Sequence, residues 1–238
     1  MAKTTKKKNK ISIFDVVNLI AMILVGLIML MPILNLVAKA FSSEGNVIAG
    51  KVLFWPLGFQ TGTIKYVLTT PEFGTSFLVT VTVTITGTIG AMLLTVMAAY
   101  PLSKPHLIGR KFFLYIFVFI MLFSAGMVPN YILFRTLHLT NTIFALIFSG
   151  MFSSFNLFLI KNYFETLPEV IEEAARIDGA SNMRIFFSVV LPMSTPVLAT
   201  VTLYYAVAYW SNYFAGVMYI TDANLKPLQQ YMFDLVTQ

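Results

Sequence analysis

The chain has 238 residues, of which 58% are hydrophobic and 11% are charged, with a net charge of +6 and no cysteine. Soluble domains carry about 25% charged residues, and a water-soluble chain of this length cannot hide so much apolar surface. The composition therefore excludes a soluble globular domain and predicts a multi-span membrane protein. The lack of cysteine also excludes disulfides and thiolate metal sites.

Residues 1–12 form a basic tail that contains Lys3, Lys6, Lys7, Lys8 and Lys10. Nucleic-acid binding is the rival interpretation of such a tail. Its position directly before an apolar helix favours a topology signal instead, so we expect no nucleic-acid partner. A cleaved signal peptide is not expected, because the apolar run that follows is too long and no small-x-small cleavage site ends it.

Five apolar segments approach the ~20 residues that a helix needs to cross the hydrocarbon layer. They are 16–38, 77–99, 112–134, 143–160 and 189–209. Because these runs are long and continuous, helices are favoured over a closed β-barrel, the other spanning architecture. The predicted organisation is a first transmembrane helix at 13–40, an external loop at 41–76 and a helical core at 77–238.

The second segment is rich in glycine and threonine, a composition that suits close packing between helices. Packing is favoured here over a substrate site. The residues concerned are Gly87, Gly90, Thr80, Thr82, Thr84, Thr86 and Thr88.

The distribution of Lys and Arg predicts the orientation in the membrane. With the N-terminus in the cytoplasm, eleven of the sixteen cationic residues fall on the inner side. This orientation places the charged loop at 161–192 in the cytoplasm. Five spans leave the C-terminus outside, and we expect that a sixth helix is missing at that end.

Residues 168–180 are predicted to form a polar amphipathic helix followed by a chain reversal. Glu169, Glu172 and Glu173 lie near the N-terminal end, where the helix dipole favours negative charge, and Glu172 is spaced to pair with Arg176. Gly179 permits the reversal. An interfacial helix on lipid is the alternative, but the acidic polar face and the small alanines favour a groove in a protein partner.

This loop carries the string Glu173-Ala174-Ala175-x3-Gly179-x9-Val189-x-Leu191-Pro192. The string resembles the EAA loop of the permease subunits of ABC importers, with Val189 in place of isoleucine. Leu167-Pro168, which precede the motif, and Asp178, which lies just before its glycine, are also usual in that family. Three further segments resemble its carbohydrate subgroup, related to the maltose permease subunits: 98–103, 123–131 and 209–214.

The resemblance implies the all-α transmembrane domain of a type I ABC importer (MetI-like) in the plasma membrane, in a Gram-positive bacterium. Implied partners are a cytoplasmic ABC ATPase that binds ATP and magnesium, a second permease subunit and an extracytoplasmic solute-binding lipoprotein. The chain itself is expected to hold no cofactor, no metal and no catalytic residue. The residues implied to couple to the ATPase are Glu173, Ala174, Ala175, Asp178, Gly179, Leu191 and Pro192.

Trp210, Asn212, Tyr213 and Phe214 follow the fifth segment and carry two alternatives. An aromatic belt at the membrane interface needs no ligand. Alternatively, these residues line a sugar path or contact the binding protein, because aromatic faces stack on sugar rings and an amide both donates and accepts hydrogen bonds.

Other functions are less compatible with the sequence. His106 and His138 fall on opposite sides of the predicted topology, and no HExxH, GxSxG or GxxxxGK[ST] pattern occurs. An ion-coupled carrier buries ionisable residues within its spans, and these spans hold almost none. We therefore predict a sugar or oligosaccharide permease, with an amino-acid or peptide permease or a non-transport scaffold as the alternative. The particular sugar is not specified.

Overall fold

The computed structural model describes residues 13–237, so the predicted tail at 1–12 lies outside the described residues. Every regular element in the described range is helical, as the sequence predicts. The chain divides after Thr70 into two compact units, which are described separately.

The first unit is built on α1, which has 28 residues and contains Pro32. Asn35, in the last turns of α1, donates side-chain hydrogen bonds to the carbonyls of Val52 and Leu53 at 3.1 and 2.6 Å. These bonds fasten the following segment to the helix. The helices of this unit are α1 (Ile13–Ala40), α2 (Glu44–Ile48) and α3 (Gly62–Thr69).

The second unit packs around α4, a helix of 33 residues that contacts α8 and α12 along its length. Its helices are α4 (Pro71–Ser103), α5 (Arg110–Leu122), α6 (Met127–Thr136), α7 (Ile143–Phe148), α8 (Ser154–Thr166), α9 (Glu169–Ile177), α10 (Asn182–Ile185), α11 (Leu191–Met193), α12 (Thr195–Trp210), α13 (Tyr213–Tyr219) and α14 (Leu228–Thr237). A π-helical turn at Phe186–Val190 joins α10 to α11, and a 3₁₀ turn at Ala223–Leu225 precedes α14.

The core of this unit contains a polar centre between α4, α8 and α12. The Thr95 and Tyr205 hydroxyl oxygens lie 2.7 Å apart. The Tyr205 hydroxyl also accepts a hydrogen bond from the Ser153 backbone N–H at 3.1 Å. Non-helical backbone at membrane depth needs hydrogen-bond partners within the protein. The Tyr205 hydroxyl supplies one for the Ser153 N–H, which lies in the non-helical stretch between α7 and α8.

The predicted close packing at Gly87 is confirmed. A Cβ atom at Gly87 would lie 2.5 Å from Cζ of Tyr209, and one at Gly150 would lie 3.0 Å from Cε1 of the same ring. The Tyr209 hydroxyl donates to the Ile147 carbonyl at 2.7 Å. Two glycines therefore make the space in which this ring sits.

The apolar segments are less continuous than predicted. In the described range, α1 and α4 are each long and apolar enough to cross a membrane, which agrees with segments 16–38 and 77–99. Segment 112–134 is bent by 111° between α5 and α6, and segment 189–209 is bent by 81° between Met193 and Thr195.

Segment 143–160 consists of two helices, α7 and α8, rather than one. The prediction of uninterrupted helices was therefore wrong for the last three segments. Gly126, with φ of 86°, lies at the break between α5 and α6.

Candidate coupling site

The predicted helix at 168–180 is confirmed as α9, and local sequence sets both of its ends. Pro168 stands at the N-cap with extended backbone (φ −62°, ψ 120°), which separates α9 from α8. Glu169 and Glu172 occupy the first turn, where negative charge is favourable.

The carboxyl end of α9 is a Schellman motif. The Ala180 N–H donates to the Ala175 carbonyl and the Gly179 N–H to the Arg176 carbonyl, both at 3.0 Å. Gly179 has φ of +79°, a conformation that glycine adopts without steric cost. The predicted reversal at Gly179 is therefore confirmed.

The chain then returns toward the core through α10. The Ser181 side chain caps this helix by accepting from the Arg184 N–H at 3.4 Å. Ile185, Phe186 and Val190 are buried in the core. The hairpin of α9 and α10 is thus anchored on its α10 side.

Helix α9 buries one residue, Glu172, which is 5% exposed. The apolar residues of α9 are mostly exposed, with Val170 at 71% and Ile177 at 87%. Met183 and Phe187, on the following segment, are also exposed. The loop therefore presents an apolar surface that this subunit leaves uncovered.

The partner of Glu172 is Lys104, in the turn after α4. The two form an ion pair in which the Glu172 side chain is 7% exposed and the Lys104 side chain is 26% exposed. The predicted Glu172–Arg176 pair is present at 4.0 Å and is the longer contact. Sequence reasoning missed Lys104, because 68 residues separate it from Glu172.

A second ionic group lies at the end of α8. Glu165 accepts hydrogen bonds from Arg110, at the start of α5, and from Lys161, the latter at 2.8 Å. The Arg110 Nε–H also donates to the Leu102 carbonyl at 2.8 Å. A cavity of about 260 Å³ between the two ionic groups is lined by Lys104, Arg110, Glu165 and Glu172.

The structure separates the predicted coupling residues by exposure. Glu173, Ala174, Asp178, Gly179 and Pro192 are exposed. Ala175 and Leu191 are half-buried and pack against the core of their own subunit.

The four residues predicted at the end of the fifth segment, between Trp210 and Phe214, have separate contacts. The Trp210 ring contacts Phe77 edge to face with 6.1 Å between ring centroids, and the Tyr213 ring packs on Phe233 with 4.8 Å between centroids. The Asn212 Oδ1 accepts from the Ala215 N–H at 3.1 Å and caps α13. Phe214 is 52% exposed.

Chemically, the site offers ionic groups and exposed apolar surface. Within residues 13–237, no three His, Asp or Glu side chains come together in a way that would hold a metal ion. The exposed helical hairpin lies on an apolar helical bundle, so the architecture is that of a membrane subunit with surface available to another protein.

Residues 90–236 match the family described as binding-protein-dependent transport system inner membrane component. The chain belongs to this family, so the resemblance seen in the sequence is confirmed. The family is a transport component, whose name implies a solute-binding protein as a partner.

Two relatives from Bacillus subtilis (strain 168) illustrate the likeness. Protein LplC is 39% identical over 220 residues, which cover 92% of this chain and 75% of LplC. The polygalacturonan/rhamnogalacturonan transport system permease protein YtcP is 36% identical over 229 residues, which cover 96% and 79% of the two chains.

One solved structure shares the fold over nearly the whole chain. It is the crystal structure of a bacterial ABC transporter involved in the import of the acidic polysaccharide alginate. The match has a TM-score of 0.88 and 33% sequence identity, and it covers 97% of this chain and 82% of that one. The fold is therefore that of an ABC importer permease.

Proposed function

We propose that this chain is a permease subunit of an ATP-driven importer of sugars or oligosaccharides. The observation that carries the proposal is the exposed hairpin of α9 and α10, held to the membrane bundle by the Glu172–Lys104 pair. Its uncovered apolar and acidic surface supports docking of a cytoplasmic ATPase, which would bind ATP and magnesium.

Saccharide specificity is supported by relatives of this chain. Their names include polygalacturonan and rhamnogalacturonan, diacetylchitobiose and galactooligosaccharides. The matching solved structure belongs to an importer of alginate. These names favour a saccharide over the alternative of an amino acid or peptide.

The remaining partners and the orientation complete the proposal. A second permease subunit forms the translocation path together with this chain, and an extracytoplasmic binding protein delivers the solute. The N-terminus lies in the cytoplasm, so that the α9 hairpin faces the ATPase. The relatives from Bacillus subtilis support a Gram-positive host.

The experiment that tests the proposal is reconstitution in liposomes of this chain with its second permease, ATPase and binding protein. Uptake of labelled oligosaccharides, neutral and acidic, is measured with and without ATP inside the liposomes. We expect ATP-dependent uptake of at least one saccharide and none of amino acids or short peptides. Uptake restricted to a peptide would replace the saccharide assignment, and a chain that never co-purifies with an ATPase would contradict the transport role.

A further inference from the structure

We propose that Lys104 is a positioning residue for transport, and that its ion pair with Glu172 stays closed throughout the transport cycle. In this arrangement α9 and the carboxyl end of α4 move as one body. Displacement of the docked hairpin is then passed directly to the longest helix of the bundle. The inference rests on the proposed function, because it concerns how the motion of a docked ATPase reaches the membrane helices.

Burial is the first reason for a permanently closed pair. The Glu172 side chain is 7% exposed, although it belongs to a helix whose other residues are exposed or half-buried. Opening the pair would leave a charge buried without its close partner, a strongly unfavourable state. An ion pair that breaks in each cycle is expected at the surface instead, where water can replace the lost partner.

The packing around Lys104 and Tyr100, at the carboxyl end of α4, is the second reason. The Lys104 ammonium lies over the Tyr100 ring, 4.9 Å from its centroid. That ring packs against Phe186 at 4.8 Å and against Phe164 at 6.2 Å. The end of α4 is therefore held by α8, by α9 and by the π turn after α10.

The turn after α4 is also fixed at its far end. Arg110, the first residue of α5, pairs with Glu165 on α8 and donates a hydrogen bond to the Leu102 carbonyl on α4. The turn at 104–110 is thus held by an ion pair at each end, to α9 through Lys104 and to α8 through Arg110. A segment held at both ends transmits displacement rather than absorbing it.

The first test replaces the charges while keeping the shapes, in the variant K104M/E172Q. No buried charge is left without a partner, because Arg176, which loses its longer contact with Glu172, has a side chain that is half exposed to solvent. The protein should therefore reach the membrane and bind its ATPase. We expect uptake, and stimulation of ATP hydrolysis by the loaded binding protein, to fall by about tenfold. The exchanged variant K104E/E172K keeps the pair but places an ammonium beside Arg176 and a carboxylate over the Tyr100 ring, so it should restore both activities in part.

The control is K226M/D234N, which removes a Lys–Asp ion pair away from α9 (2.6 Å) whose cation is about as exposed as Lys104 and whose carboxylic side chain is more exposed than Glu172 (29% and 30%). This control should leave coupling unchanged. A purely structural role for Lys104 predicts parallel loss of membrane abundance, ATPase binding and uptake. The proposed role predicts loss of uptake and of stimulated ATP hydrolysis, with normal membrane abundance and normal ATPase binding.

The second test asks whether the pair opens, and it uses the absence of cysteine from the chain. The variant K104C/E172C is joined by a bifunctional thiol reagent that spans the length of the two replaced side chains. We expect the cross-linked subunit to transport better than the same variant before cross-linking. The single variants K104C and E172C, treated with the same reagent, should gain nothing.

The outcomes separate this inference from the proposed function. If K104M/E172Q transports like the wild type, or if the cross-link stops transport, the inference is overturned while the wild type still imports its solute. If the wild type neither binds an ATPase nor imports any solute, the proposed function itself fails. A poorly expressed K104M/E172Q variant leaves the cross-linking result to decide.

Discussion

Glu172 and Glu173 are consecutive residues of α9, yet the first is buried against Lys104 and the second is exposed. One residue step turns about 100° around a helix, so neighbours in the chain face different surroundings. Glu172 attaches the helix to its own subunit. Glu173 is left free for another protein.

This difference predicts that Glu173→Lys weakens binding of the ATPase without lowering the amount of permease in the membrane. Reversal of one interfacial charge is expected to cost about 2 kcal/mol, or roughly 30-fold in affinity. Co-purification of the ATPase with a tagged permease measures the effect. Glu44→Lys makes the same charge change on an exposed residue of α2 and should leave ATPase binding intact. Equal recovery of ATPase with the two variants would remove Glu173 from the docking surface.

Gly179 provides a second test, because its role depends on the backbone alone. An added Cβ at this position meets nothing within 4 Å, while φ is +79°. Replacement by valine therefore introduces left-handed strain of about 1–2 kcal/mol and no clash. We expect Gly179→Val to lose ATPase binding and uptake, because the Schellman motif sets the angle between α9 and α10.

The control for Gly179 is Gly179→Asn, which adds a side chain of a type that tolerates the left-handed region. It should retain most of the uptake. Loss of uptake in both variants, at normal membrane abundance, would show that surface contact rather than backbone conformation makes glycine necessary.

The hairpin could be predicted from sequence because its signals are local. Pro168 separates α9 from α8, and Gly179 ends α9 within the span of one Schellman motif. Such signals act over a few residues and need no knowledge of the rest of the fold. The glycine- and threonine-rich composition of α4 likewise predicted a close helix contact at Gly87, although it did not identify Tyr209 as the neighbour.

The breaks in the apolar segments were not predictable in the same way. Hydropathy reports that a segment is apolar, but not whether its backbone is helical throughout. Between α7 and α8, the Ser153 N–H finds its partner in the Tyr205 hydroxyl, 52 residues away. The Lys104–Glu172 pair spans 68 residues. Contacts of this range depend on the completed fold, and charge patterning within one helix points to Arg176 instead.

The packing of Tyr209 predicts a large effect from a small substitution at Gly87. In Gly87→Ala, the new methyl group would lie 2.5 Å from Cζ of Tyr209. The ring cannot withdraw easily, because its hydroxyl is bonded to the Ile147 carbonyl and Gly150 lies close to it. Overpacking of this kind costs about 1–3 kcal/mol. The midpoint of thermal unfolding in detergent should fall.

The matched control lies on the same helix. Gly74→Ala adds a methyl group with nothing within 4 Å, and alanine is favoured over glycine in helices by about 0.5–1 kcal/mol. Its midpoint should stay the same or rise. A stable Gly87→Ala variant would mean that α4 and α12 separate easily at this point.

Asn212 allows the capping role to be separated from the predicted contact with sugar. Its Oδ1 already accepts from the Ala215 N–H, so the amide N–H groups are the part left for a ligand. Asn212→Asp keeps the acceptor and removes these donors, whereas Asn212→Ala removes both and should cost about 1 kcal/mol of stability through the lost cap. If Asn212 contacts the sugar, Asn212→Asp unfolds at the wild-type temperature but requires more solute for half-maximal uptake, measured in the reconstituted system. If Asn212 only caps α13, Asn212→Asp imports like the wild type and Asn212→Ala alone is impaired, because only the alanine variant leaves the first turn of α13 without its acceptor.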